Sequence, residues 1–362
     1  MEGAVRVYLD HNATTPVRAE ARAAMIAAMD VVGNPSSVHT EGRAAKMLVE
    51  RARAQVAELV GCKTTQVIFT SSATEAAALA VAQKARHGGL FSALPTEHDC
   101  LGDWSEVALD PAQVGGGAIE GHHLRAVSAA NSETGILGAS GVVVGSTPHH
   151  STVCDITQLA GKMPVIYGEV TPSYAILSAH KIGGPKGVGA LINFTADDPV
   201  PMLRGGGQEM NRRSGTENTI GIAGFGAAAA AAGQDVAAGR WDEVAQLRNI
   251  LEKTIAAATD QTIFVGKDRP RLPNTSCILT SGWKGETQVM QMDLAGFAIS
   301  AGSACSSGKV KASKVLIAMG YSEAQASSAI RVSLGLETTK DDVLRFADAW
   351  IEKWTKHQMR VA

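Results

Sequence analysis

The stretch Leu177-Ser178-Ala179-His180-Lys181-Ile182-Gly183-Gly184-Pro185-Lys186-Gly187 carries more chemical information than any other in the chain. Ala175 to Leu177 has the apolarity and length of a buried strand, and the glycines and proline beyond Lys181 end it in a turn. A lysine just past a strand, with a hydroxyl and an imidazole before it, suits an amine placed to attack a carbonyl beside groups that hold a phosphate. Taken alone the pattern is weak, because a lysine in a Gly/Pro loop is more often a solvated surface residue. Its neighbours add weight. Val67-Ile68-Phe69-Thr70, Arg125 to Ala129 and Ser151 to Cys154 are also apolar runs of strand length, with helix-like or turn-rich segments between them. Alternation of this kind predicts an α/β fold with a mostly parallel sheet and helices on both faces.

Three further constellations stand out. In Cys154-Asp155-Ile156-Thr157-Gln158, Asp155 falls at the expected carboxyl end of a strand, where open α/β sheets place ligand groups. A carboxylate there pairs with a pyridinium nitrogen, or it serves only as a helix N-cap. Ser71-Ser72-Ala73-Thr74-Glu75 is a strand-to-helix turn of small residues. It suits phosphate binding at a helix N-terminus and, equally, simple capping. In Ser300-Ala301-Gly302-Ser303-Ala304-Cys305-Ser306-Ser307-Gly308, a cysteine sits among small polar residues with Lys309 and Lys311 close by. That setting favours an exposed, nucleophilic thiol over the usual buried cysteine.

Arg18 to Asp30, Gly42 to Val60 and Trp241 to Thr259 read as helices, the second with Leu48, Ala52, Val56 and Leu59 on one face. Val5 to Asp10 reads as a short strand, and Ile220 to Gly233 as a buried, close-packed helix too weakly hydrophobic to span a bilayer. The 33 Lys+Arg against 35 Asp+Glu leave a net charge of −2, and aromatics are 4% of the 362 residues, so neither charge nor stacking supports nucleic-acid binding. The same balance gives no case for an anionic membrane. The five cysteines are an odd, scattered set with no Cys-x-x-Cys pair, which excludes a disulfide framework and argues against a metal held by this chain. Met1 to Asp10 lacks the features of a signal peptide, so a reducing cytoplasm is expected.

Taken together and in order, these motifs resemble the cysteine desulfurases, in the NifS/IscS-like branch of the class V aminotransferases. The resemblance is carried by Tyr8-Leu9-Asp10-His11-Asn12-Ala13-Thr14-Thr15-Pro16, Gly33-Asn34-Pro35-Ser36-Ser37, Thr96-Glu97-His98 and the Asp155 and Lys181 segments. Arg212-Arg213-Ser214-Gly215-Thr216-Glu217-Asn218, the Cys305 segment and Ile330-Arg331-Val332-Ser333-Leu334-Gly335 complete it, so that it covers nearly the whole chain. It implies the fold type I of pyridoxal-phosphate enzymes. The large cofactor domain, with its mostly parallel mixed sheet covered by helices, would take residues 15–245. The smaller α+β C-terminal domain would take 1–14 and 246–362. Residue by residue, Lys181 would carry the Schiff base to pyridoxal 5'-phosphate, His98 would stack on the ring and shuttle protons, and Asp155 would pair with its nitrogen. Gln158 would bond the phenolic oxygen, while Ala73, Thr74, Ser178 and His180 would hold the phosphate. Thr216 would reach the phosphate in the other subunit of a homodimer. Asn131 and Arg331 would bind the substrate, with Arg331 clamping its carboxylate. Cys305 would take sulfur from L-cysteine as a persulfide, leaving L-alanine, and pass it to an acceptor such as an iron–sulfur scaffold protein.

The chain also departs from the family pattern. Ser132 stands where the family has a second Asn that touches the cofactor, and Ser72 where it usually has Gly. The interval from His98 to Asn131 is short, as if about one helix and strand were missing. These departures motivate two alternatives: a related activity such as selenocysteine lyase, or a sulfur-transfer subunit with impaired catalysis. His122-His123 and His149-His150 read as solvated loop histidines and not as metal ligands. Cys100 reads as a thiol without function, and Cys62 and Cys277 as structural.

Overall fold

Val67–Thr70 is buried along its whole length, and it forms the edge of a seven-stranded sheet. The order across the sheet is Val67–Thr70, Gly189–Asn193, Tyr174–Ser178, His150–Asp155, His123–Ser128, Phe91–Ala93 and Val107–Ala108. Gly189–Asn193 runs antiparallel to both its neighbours, and every other adjacent pair is parallel. This is the expected α/β arrangement with a mostly parallel, mixed sheet. The computed structural model describes residues 6–108, 122–138, 142–147, 150–302 and 312–361.

Alternation along the strands sorts the two faces. Ile68, Leu124, Ala126, Val153 and Ile176 join Leu79 and Ala80 of the helix Ala73–Val81 in one core. Phe69, one residue on, points the other way and meets Phe225 of the helix Thr219–Ala237 edge to face at 6.1 Å. That helix is the most apolar in the chain, yet it is a core element: a side chain added at Gly226 would come within 2.4 Å of Ala52 Cα in the helix Thr40–Val60. The buried stripe of Thr40–Val60 runs through Ala45, Val49, Ala52, Arg53, Val56 and Val60. Leu48 and Leu59, expected on the same face as Ala52 and Val56, are only half-buried, at its margin. The rotation follows from Arg53, whose buried guanidinium needs the inner face to reach Glu209.

One part of this unit departs from the usual parallel crossover. A strand-to-parallel-strand connection normally carries a helix. Among the described residues, the connection from Ser128 to His150 carries no α-helix. Instead Val142–Val143 pairs in parallel with Ile166–Tyr167, and Gly145 lies so close to Val170 that a Cβ would meet its carbonyl oxygen at 1.9 Å. The strands on either side of the shortened His98 to Asn131 interval are retained and pair directly.

The chain divides into two compact units, the larger made of Thr15–Ala130 and Gly138–Ala238. The smaller gathers Met1–Thr14, Asn131–Leu137 and Gly239–Ala362. Its sheet is antiparallel, in the order Thr262–Phe264, Thr275–Thr280, Ala329–Ser333, Ser300–Ala301. Val7–Tyr8 adds a separate parallel pair with Phe297–Ala298. The helices Arg240–Ala258 and Lys340–Val361 pack on each other, and Trp283, Phe346 and Trp350 are fully buried in this unit.

Candidate active-site residues

Within the larger unit, the expected cofactor residues collect at the carboxyl ends of the parallel strands. Tyr174–Ser178 ends in a tight 3-10 turn, Ala179–Lys181. Thr15 fastens that turn: its N–H donates to the His180 carbonyl at 2.9 Å and its hydroxyl to the Lys181 carbonyl at 3.2 Å. Gly183 then turns with φ +84°, and a Cβ there would lie 2.5 Å from Arg18 Cγ. Ser178 is buried, whereas His180 and Lys181 are half-buried. Burial, and then the Lys181 charge, push His180 down to about 4, so its imidazole is neutral at pH 7.

The turn after Val67–Thr70 is the second element. Ser72 caps the helix Ala73–Val81, accepting from the Glu75 N–H at 3.2 Å. Serine in the place of the family's glycine thus closes the turn through a capping bond. Gly189 of the neighbouring strand backs it so closely that a Cβ would meet Ser72 C at 2.4 Å. Ala73 and Thr74 lie in the first helical turn, where N–H groups lack intrahelical partners and the dipole favours an anion. Arg213 ties the Arg212 to Asn218 segment to this turn through Glu75, Nε to Oε1 at 2.9 Å. Burial pushes the Glu75 carboxyl up, but bonds from Arg213 and Ser71 outweigh it and hold the group below its ordinary value. Thr216 is exposed.

Asp155 ends its strand as expected, and its Oδ1 accepts from Thr157 N–H at 2.8 Å. Gln158 is buried, its Oε1 accepting from Lys162 Nζ at 2.7 Å. His98 is half-buried, and its Nδ1 accepts from the Cys100 N–H at 3.1 Å. Sequence reasoning gave no role to the residue before it. Glu97 is buried; one carboxyl oxygen accepts from Ser128 N–H at 3.0 Å and the other bonds the Ser128 hydroxyl. Burial, reinforced by the charge of Asp155, pushes Glu97 up to about 7. The signal available in the sequence was its place in Thr96-Glu97-His98, but nothing local announces that it is buried.

The segment before Thr216 has unusual backbone. Glu209, Met210 and Asn211 have φ of 47°, 57° and 65°, three consecutive left-handed residues without a glycine. Glu209 anchors them. It is buried and takes a two-pronged ion pair from Arg53, at 2.7 and 2.8 Å, while the Phe69 N–H donates to it at 3.0 Å.

Within the smaller unit, Arg331 sits mid-strand in Ala329–Ser333 and is buried. It donates to the Ser132 carbonyl at 3.1 Å and to Asp10 Oδ1 at 2.8 Å. Asn131 Oδ1 organises its own turn, accepting from Glu133 and Thr134 N–H at 3.0 and 2.9 Å. Ser132 contributes its carbonyl to Arg331 and to Asn12 Nδ2, the latter at 3.2 Å. Cys305 lies outside the described residues.

The discounted residues need one correction. His123 and His150 are not loop residues: each is the first residue of a parallel strand, they are paired in register, and their rings lie 4.3 Å apart. His149 lies outside the described residues. Among the described residues, no group of three or more His, Cys, Asp or Glu is arranged to hold a metal. Cys100, Cys154 and Cys277 are buried, and burial pushes each of these thiols up, Cys277 to about 12.

An amine, a carboxylate and a helix N-terminus backed by glycine, gathered at one sheet edge, fit a cofactor that joins an aldehyde, a ring nitrogen and a phosphate. Comparison with known proteins gives the family. The model of the family described as Aminotransferase class-V matches residues 7–110 and 118–346. A cysteine desulfurase of Frankia sp. (strain EuIK1) is 37% identical over 94% of this chain and 90% of its own length. An IscS-like cysteine desulfurase of Mycobacterium tuberculosis is 34% identical over 93% of each. The solved structure of a NifS-like protein from Rickettsia africae superposes with a TM-score of 0.85 at 29% identity, covering 97% of this chain and 99% of that one.

Proposed function

Because the chain belongs to the class-V aminotransferase family, in its NifS/IscS-like cysteine desulfurase branch, we propose that it takes sulfur from L-cysteine and releases L-alanine, with pyridoxal 5'-phosphate as cofactor. The observation that carries this reading is the meeting of Lys181, Asp155 and the Ser72–Thr74 turn at the carboxyl ends of strands in one mixed, mostly parallel sheet. When bound, the cofactor supplies an electron-withdrawing ring that makes the substrate Cα–H acidic.

The chain's own residues do the rest. Lys181 provides the amine that holds the cofactor and then moves the Cα proton. Asp155 would keep a proton on the ring nitrogen, Gln158 would donate to the phenolic oxygen, and His98 would stack on the ring and carry protons. Ala73, Thr74, Ser178 and neutral His180 hold the phosphate, joined by Thr216 from the other subunit of a homodimer. Asn131 and Arg331 bind the substrate, and Arg331 takes its carboxylate. Ser132 supports Arg331 through its backbone, and its hydroxyl, shorter than the family's amide, would bond the cofactor or substrate through water. The Cys305 thiolate attacks the substrate sulfur. As the new S–S bond forms, the Cβ–S bond breaks and its electrons stay with the carbon skeleton, which is protonated and leaves as alanine. An acceptor such as an iron–sulfur scaffold protein then collects the persulfide sulfur, in the cytoplasm.

The test is the visible spectrum of the purified protein before and after L-cysteine, with alanine and sulfide assayed alongside and L-selenocysteine as a comparison substrate. An absorption band lost in Lys181→Ala, with alanine formed only when Cys305 is present, is the expected result. Full turnover of L-cysteine by Cys305→Ala overturns it.

A further inference from the structure

Arg331 is the residue to which the proposed reaction gives the substrate carboxylate, and the smaller unit already engages it with a carboxylate of its own. Asp10 Oδ1 lies 2.8 Å from Arg331 Nη2, with both side chains largely buried. The second Asp10 oxygen accepts from the Ser300 hydroxyl at 2.8 Å. Ser300 is paired in register with Arg331 and opens the strand Ser300–Ala301, which leads in sequence toward Cys305. The Asp10 backbone is pinned as well: its carbonyl accepts from Tyr8 Oη at 3.1 Å, and the residue forms an isolated bridge with Ser333. Arg331 Nη1 is taken by the Ser132 carbonyl. Its Nε is buried and has no hydrogen-bond partner among the described residues.

A buried N–H without a partner is costly, and sites retain one where a ligand satisfies it. Guanidinium presents five N–H groups in a fixed planar fork, and a carboxylate needs two parallel ones. Two are committed here, to Asp10 and Ser132. The unsatisfied Nε–H and the remaining Nη hydrogens are what a substrate carboxylate can use. The fork does not hold this orientation alone, because a long arginine side chain has many rotamers. Asp10 also offsets the positive charge, so the pull of Arg331 on an incoming anion is weak and selection has to come from geometry.

Resting on the reading of Arg331 as the carboxylate group's partner, we propose that Asp10 is a positioning residue for substrate recognition. Its carboxylate fixes Arg331 and Ser300 in one network and leaves the Nε edge of the guanidinium for the substrate carboxylate. Asp10 does not touch the reacting atoms.

The experiment compares holoenzyme carrying Asp10→Ala, Asp10→Asn, Asp10→Glu and Arg331→Ala. For Asp10→Ala, KM for L-cysteine is expected to rise at least about tenfold while kcat changes less than about threefold, the pattern of lost substrate binding. Calorimetric binding of L-alanine is expected to weaken in parallel, while alaninamide, which lacks the carboxylate, binds as it does to the parent. Asp10→Asn keeps the shape and one acceptor, so it is expected to shift KM by about threefold, and it carries the test if Asp10→Ala does not fold. Asp10→Glu restores part of the KM loss seen in Asp10→Ala. Equal weakening of L-alanine and alaninamide, or an unchanged KM in the folded Asp10 variants, overturns the proposal. If Arg331→Ala leaves L-alanine binding intact, the assignment of Arg331 itself is what fails.

Discussion

The parallel strands His123–Ser128 and His150–Asp155 bear titratable side chains at both ends, under different rules. At the carboxyl end each group is held by backbone. Asp155 takes the Thr157 N–H, His98 the Cys100 N–H, and Glu97 the Ser128 N–H together with its hydroxyl. At the amino end the side chains hold one another. His87 Nδ1 bonds the Ser151 hydroxyl at 2.7 Å, its Nε2 lies 3.1 Å from Tyr174 Oη, and its ring stacks on His122. His123 and His150 form a second ring pair. Backbone acceptors and donors are fixed by the fold, so they set a charge in one place. Side-chain partners are set by one another and not by the backbone ladder alone. The carboxyl end is built to keep geometry, the amino end to tolerate its loss.

The contrast is tested most severely at Asp155. Asp155→Ala is expected to lower kcat by about a hundredfold or more, the order expected for a positioned proton-holding group, with a thermal midpoint close to the parent's. A variant that turns over normally breaks the contrast, because the carboxyl end then needs its fixed charge no more than the amino end does.

Glu97 gives the next largest effect, and its sign is unusual for a carboxylate. Burial raises it from 4.5 to about 7, so the folded state binds the proton more tightly than the unfolded chain. The stabilisation from this protonation is complete below pH 4.5 and is lost as the pH climbs through about 7, on the order of 3 kcal/mol in all. Glu97→Gln keeps an acceptor for the Ser128 N–H and removes the titration. Denaturant unfolding between pH 4.5 and 8 is expected to show a flatter profile in the variant; an unchanged slope assigns the proton elsewhere.

His87 has the opposite sign and the smallest effect. Burial, then the charges of His122 and Arg86, lower its affinity for a proton below the ordinary 6.5. Its contribution is therefore present above pH 6.5 and lost as the pH falls below it. His87→Asn is expected to reduce the acid-side fall of the thermal midpoint while kcat at neutral pH stays as in the parent. A loss of kcat there couples the two ends and ends their separation.

What the chain's local pattern discloses follows the same division. The Lys181 turn and Asp155 were legible because a strand period and its punctuation lie within a dozen residues of each. The capping by Ser72 is local too. Glu97 was not legible, since its burial depends on Ser128, 31 positions away. Nor was the ring pair of His123 and His150, which exists only because two strands are in register. The helix-free connection from Ser128 to His150 escaped for a related reason: its cover comes from Ile166–Tyr167 and Val170. The assignment of Arg331 rests on family resemblance alone, because its partner Asp10 is 321 residues distant.

The left-handed run at Glu209, Met210 and Asn211 has a consequence in time. Each such residue disfavours its own conformation by about 1 kcal/mol, so three in succession are not populated by the segment alone. They form when the Arg53 guanidinium and the Phe69 N–H are already in place to receive Glu209. The segment that leads to Thr216 is therefore expected to order late, on a scaffold contributed by residues some 150 positions earlier. Contacts made late are absent from the folding transition state and act on the rate of unfolding. Loss of the Arg53–Glu209 pair is therefore expected to speed unfolding more than it slows folding, which unfolding rates of Arg53→Met measure.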